Sequence, residues 1–207
     1  MACRVITISR TLAAGGEEIG RAAAEEFGFR YADEEIIVRA AEMAGVSPQT
    51  VAAVEHTPGF ITRVLEAMAR TAADTEGYSG ATMTGGVTRA EYEGIIERVV
   101  RETAGQGDVV IVAHGASIPL AGKEGVFRCL VTASPATRIG RLVREAKLSE
   151  AEARKAVEQS DRQRHEYLRR FYDVREELPT HYDVVVNTDA LSVPAAMELL
   201  IAAARSI

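Results

Sequence analysis

Two adjacent glycines, Gly15 and Gly16, stand between an apolar, β-branched run, Arg4–Ser9, and a stretch of helical composition, Glu17–Phe27. A strand, a glycine-bearing loop and a helix in that order can cradle phosphate, because backbone N–H groups and the helix N-terminus turn toward an anion. The two glycines let a ligand approach the backbone closely. The full phosphate-loop pattern, G-x-x-x-x-G-K-[ST], is nevertheless not met. With Gly15 as its second glycine, Arg10 falls on the first glycine and Gly16 on the lysine. Glu17 and Glu18 then stand where a hydroxyl would hold magnesium. Acids at a helix start complement its dipole, worth about 0.3–1 kcal/mol each, and they repel a triphosphate. On spacing alone the loop reads as a turn.

Composition narrows the classes. The chain has 207 residues, 47% of them hydrophobic, enough for a full core in a single domain. The net charge of −6 argues against a nucleic-acid binder, whose footprint is basic. Within Arg138–Arg170, ten Lys/Arg against six Asp/Glu give +4, leaving −10 for the rest. A local basic surface on an acidic chain suits a small anionic ligand. Cys3 and Cys129 lie in apolar runs and read as buried, reduced thiols without zinc spacing. No apolar run approaches the ~20 residues of a membrane helix. The first strand begins too early for a signal peptide, so a cytoplasmic protein is expected.

Further strands are predicted at Phe29–Tyr31, Asp108–Ala113, Val126–Thr132 and Asp183–Asn187. Asp33 has the chemistry to cap a helix ending before Gly45, and Ser149 that of a long helix reaching Tyr172. Ser134-Pro135 starts another helix, and Val193–Ala204 closes the chain. Between them, helices are predicted from Ser47-Pro48, over Ile61–Ala73 and over Arg89–Ala104 with Thr88 as cap, and a loop over Gly77–Gly86. Continuously apolar strands separated by helices indicate a parallel sheet covered on both faces. Residues 33–105 read as a helical insertion beside the sheet, and 149–172 as a lid.

Several segments in order carry a resemblance. Ile6-Thr7-Ile8-Ser9-Arg10 with Ala14-Gly15-Gly16-Glu17-Glu18-Ile19-Gly20 resembles the opening of the cytidylate kinase-like family, a branch of the nucleoside monophosphate kinases that also lacks the loop lysine. Tyr31 to Ile37, Val110 to Ser117, Thr132 to Ile139, Leu148 to Ala153, Asp161 to Tyr167, Tyr182-Asp183 and Val186 to Thr188 continue it, leaving residues 46–88 unmatched. The resemblance implies a three-layer α/β/α domain of the P-loop NTPase type. Its five parallel strands would run in the order 2-3-1-4-5, with a helical insertion that binds the nucleoside monophosphate, and a lid.

It implies magnesium-aided phosphoryl transfer from ATP to a nucleoside monophosphate, CMP or dCMP. Ala13, Ala14, Gly15, Gly16, Glu17, Glu18 and Ile19 would form the ATP site, with Glu18 toward the metal. Arg10, Arg162 and Arg164 would stabilise the transferring phosphoryl group, Arg10 standing in for the lysine. Asp33, Arg39, His114 and Arg138 would serve the acceptor. The chain departs from the family pattern at several places. Ala13 and Ala14 replace glycine and serine, Glu17 a basic residue, His114 an arginine and Ser117 an aspartate. A nucleotide-binding sensor without catalysis, and a kinase of another small acceptor, are the competing expectations. The expected partners are small nucleotides; homo-oligomers remain open.

Overall fold

The computed structural model describes residues 2–45 and 89–207. The expected elements at 47–86 and the Thr88 cap lie outside these residues. Five strands form one parallel sheet in the order β2-β3-β1-β4-β5, comprising β1 (Val5–Arg10), β2 (Arg30–Ala32), β3 (Val109–Val112), β4 (Val126–Thr132) and β5 (Val184–Asn187). The helices are α1 (Gly16–Phe27), α2 (Glu34–Ala44), α3 (Arg89–Gln106), α4 (Pro135–Glu145), α5 (Glu150–Tyr172) and α6 (Val193–Ala204).

β1 is buried along its whole length and pairs β3 on one side and β4 on the other, as its unbroken apolar character requires. It extends one residue further than its β-branched run, because Arg10 stays in register with Val131. Side chains alternate between two cores. Val5, Val109 and Ile111 pack on α2 and α3, whereas Ile6, Ile8, Val110 and Val112 share a cluster with Ile19 and Ala23 of α1 and Leu200 of α6. A third cluster joins Leu12 and Ala13 of the first loop to Ile139, Leu142, Ala153 and Val157 of α4 and α5.

The helix starts at Ser134, Ser149 and Ser192 use side-chain caps, with a reciprocal Glu152 at Ser149. Asp33 sits at the N-cap position of α2 but makes no side-chain cap. Its carboxylate is turned toward His114 instead, so the sequence expectation for its chemistry is corrected. Cys3 and Cys129 are free thiols, and burial pushes the Cys129 thiol up to about 12. No described helix is long and apolar enough to cross a membrane.

Candidate functional site

The first loop leaves β1 at the carboxyl edge of the sheet, the edge where open α/β sheets bind ligands. Ala13 has φ +60° and Gly15 φ +86°, and Gly15 caps α1 with no side-chain acceptor. The first-turn N–H groups of Gly16, Glu17 and Glu18 therefore have no intrahelical partner. Gly15 also has no room for a side chain, since a Cβ there would lie 2.9 Å from Val193 Cγ2.

Gly16 is glycine for a different reason. A Cβ on it would stand 2.4 Å from Arg10 Cβ and 3.0 Å from Arg10 Cγ. The Arg10 stem thus runs through the space that a side chain at the start of α1 would fill. The side chain is only 6% exposed, and its Nε donates to Glu17 Oε1 at 2.7 Å. Its two terminal nitrogens donate to nothing among the described residues. A nearly buried guanidinium with unspent donors lies beside unspent backbone N–H groups.

The other candidate cations are distributed differently. Arg164 of α5 pairs with Glu177 through two nitrogens, with Nε to Oε2 at 2.9 Å, and its Nη1 donates to the Arg10 carbonyl at 3.2 Å. Tyr182 donates its hydroxyl to Glu177 and also contacts Ser9. Burial alone would raise the Glu177 carboxyl. The Arg164 guanidinium and the Tyr182 hydroxyl outweigh it and hold the group below the ordinary carboxylate range. Burial, with Glu177 alongside, raises the Tyr182 hydroxyl despite Arg164.

Arg138, 3% exposed, makes a two-pronged pair with Asp161 at 2.8 and 2.6 Å, fastening α4 to α5. Arg162 is exposed and makes no ion pair among the described residues. Arg39 is not brought to the loop. It donates to Thr103 at 3.2 Å and faces Glu102 at 3.5 Å, near the end of α3 that leads into the opposite edge of the sheet.

At the end of β3 the chain makes a left-handed turn, with Ala113, His114 and Gly115 at φ +75°, +54° and +59°. His114 is buried. Its Nε2 lies 2.9 Å from the Asp33 carbonyl oxygen and 3.4 Å from Asp33 Oδ1, so this nitrogen carries the proton. Tyr167 and Tyr172 donate to the His114 carbonyl at 3.1 and 2.7 Å. Tyr167 also stacks on Phe171. Ser117 meets Thr7 Oγ1 at 2.8 Å and Ser9 Oγ at 3.3 Å, all three hydroxyls being buried. Tyr31 lies between these regions. Its buried hydroxyl has no hydrogen-bond partner among the described residues, and burial, reinforced by the Asp33 carboxylate, pushes it to about 12. Glu18 is exposed at the third position of α1.

The profile of the cytidylate kinase-like family matches residues 5–190 of the chain. The chain belongs to the cytidylate kinase-like family. No curated protein matches it. Among solved structures, an uncharacterized protein from Eubacterium ventriosum is similar at TM-score 0.68 and 14% identity, covering 99% of each chain. Shikimate kinase from Bacteroides thetaiotaomicron is similar at TM-score 0.51 and 16% identity, covering 95% of this chain and 96% of its own. These likenesses establish the P-loop kinase fold.

For a member of the cytidylate kinase-like family, the structure gathers Arg10, Glu17, Arg164 and the first turn of α1 at one place. His114 and Asp33 meet at the end of the neighbouring strand. Glu177 and Thr188 were not among the residues expected at the site. Glu177 carries no local signal, because its partners lie 13 residues before it and 5 after.

Proposed function

We propose that this protein transfers a phosphoryl group from ATP to a nucleoside monophosphate, CMP or dCMP, with Arg10 supplying the charge that a loop lysine supplies elsewhere. The observation that carries this reading is Arg10 itself, a 6%-exposed guanidinium with unspent donors, threaded over the first residue of α1. Phosphoryl transfer asks mainly for positioning and charge stabilisation, and both can come from backbone N–H groups and one planar fork.

ATP would set its phosphates against the first turn of α1 and take Arg10 from Glu17. An oxygen of the acceptor phosphate then attacks the terminal phosphorus as the bond to ADP breaks. Membership of the cytidylate kinase-like family supports the pyrimidine monophosphate as acceptor. Asp33 and His114, at the strand end beside the loop, mark the side from which it would enter. Arg138 is spent on Asp161, and Arg39 faces α3, so neither is free to grip an acceptor in this conformation.

Magnesium binds one or two carboxylates and keeps several waters, and the exposed Glu18 fits that demand better than Ser117, whose hydroxyl is spent within the sheet. Bound there, the metal would neutralise charge on the phosphates. Glu18→Ala should lower magnesium-dependent turnover about a hundredfold, the size of one lost electrostatic stabiliser.

A second reading, nucleotide binding without transfer, is favoured by one observation. Arg138 and Arg164 both hold carboxylates rather than facing the loop unpaired. ADP release measured across a panel of nucleoside monophosphates and small hydroxylated acceptors, beside calorimetric ATP titration, separates the two. Turnover fastest with CMP or dCMP supports the kinase. ATP binding with no acceptor phosphorylated assigns the protein to the sensor reading.

A further inference from the structure

The rear of the first loop is held by two side chains that the proposed chemistry does not use. Arg141 of α4 donates through Nη1 to the Ala13 carbonyl at 3.0 Å and to Thr188 Oγ1 at 2.9 Å. Its Nη2 donates to the Thr188 carbonyl at 2.6 Å. Thr188, fully buried just beyond β5, donates its hydroxyl to the Ala14 carbonyl at 2.9 Å. Two consecutive loop carbonyls are thus drawn backwards, onto donors from α4 and the end of β5.

In a trans peptide the C=O and the following N–H point in opposite directions. Drawing the Ala13 carbonyl back sends the Ala14 N–H the other way, to the Thr11 carbonyl at 3.2 Å. Drawing the Ala14 carbonyl back turns the Gly15 N–H outward, where it has no acceptor among the described residues. The same clamp holds a conformation that alanine resists. Ala13, at φ +60°, lies in the left-handed region, which costs a residue with a Cβ about 1–2 kcal/mol. Such strain persists only where the surroundings over-determine it. Here they are the Arg141 fork and the burial of the Ala13 methyl against Ile139 and Leu142.

We propose that Arg141 is a positioning residue for the anion loop: by bracing Ala13 in its left-handed conformation it aims the Gly15 N–H and the first turn of α1 at a phosphate. This rests on the nucleotide-binding reading above. Arg141 touches no ligand in this account. Its planar fork serves three acceptors at once, which a lysine ammonium does not reproduce.

The test is calorimetric titration of ATP, and separately of inorganic pyrophosphate, into the full-length wild type, Arg141→Lys, Arg141→Met, and each of these combined with Ala13→Gly. Thermal melts of every variant accompany the titrations. Glycine takes positive φ without steric cost, so it should restore the loop's shape without the fork. Both single variants are expected to bind pyrophosphate at least tenfold more weakly. Ala13→Gly should recover most of that affinity while leaving the melting temperature no higher. Should Arg141→Met fail to fold, the lysine pair of variants decides. Wild-type affinity in Arg141→Lys overturns the proposal, as does a loss that follows the melting temperature and is not recovered by Ala13→Gly. If the wild type binds neither ATP nor pyrophosphate, the nucleotide-binding reading fails first and the role of Arg141 falls with it.

Discussion

Arg10 and Arg164 sit against each other at the end of β1, yet their partners hold them in opposite ways. Arg164 spends Nε and Nη2 on Glu177, with Tyr182 donating to the same carboxylate oxygen as Nη2, and reaches back to the Arg10 carbonyl. Arg10 gives Glu17 one nitrogen and keeps two in reserve. The first is a fastener between α5 and the segment after it; the second is a contact that a better anion can replace. Residue type does not separate the two roles. The count of donors already spent does.

Breaking the fastener should have the largest effect. Arg164→Met leaves Glu177 largely buried without its cation, and losing one partner of such a pair costs about 3 kcal/mol. Urea unfolding of Arg164→Met should show a loss near that size. A loss under about 1 kcal/mol would place Arg164 with the exchangeable arginines.

Releasing the exchangeable contact should act in the other direction, and on binding rather than folding. In Glu17→Gln the Arg10 guanidinium no longer has an internal carboxylate to leave, so ATP should bind about fivefold more tightly, by calorimetry at fixed salt. An unchanged or weaker affinity would mean that Glu17 does not compete with phosphate.

The smallest effect is a pH dependence. Folding holds the Glu177 carboxyl below its ordinary value of 4.5, so the unfolded chain takes up that proton first as the pH falls. The stabilisation is complete above that value and fades as the pH drops toward the folded-state value. Glu177→Gln should flatten the acid limb of a stability profile below about pH 5, with little change at pH 7 in the slope. An unaltered acid limb would assign it to other carboxylates.

Local signals along the chain set some elements of this fold, and long-range partners set others. β4 and α6 were legible because apolar runs and helix starts act over a few residues, whereas the strand order came only with the family resemblance. The loop was legible as a loop, with Arg10 beside it at the end of β1. The partners were not, because they are long-range. Asp161 lies 23 residues from Arg138, and Thr188 lies 47 from Arg141. Asp33 misled for a related reason. Its position is that of a cap, but a histidine 81 residues away claims its carbonyl and faces its carboxylate. Arg39, which the resemblance implied for the acceptor, is turned by its helix toward Thr103.

The central claim is that Arg10 is the loop's phosphate-binding cation, and calorimetric titration of ATP into wild type and Arg10→Ala tests it most directly. Wild-type binding should weaken as salt rises, and Arg10→Ala should lose at least tenfold in affinity with a shallower salt dependence. Equal affinity and equal salt dependence in the two proteins would contradict it.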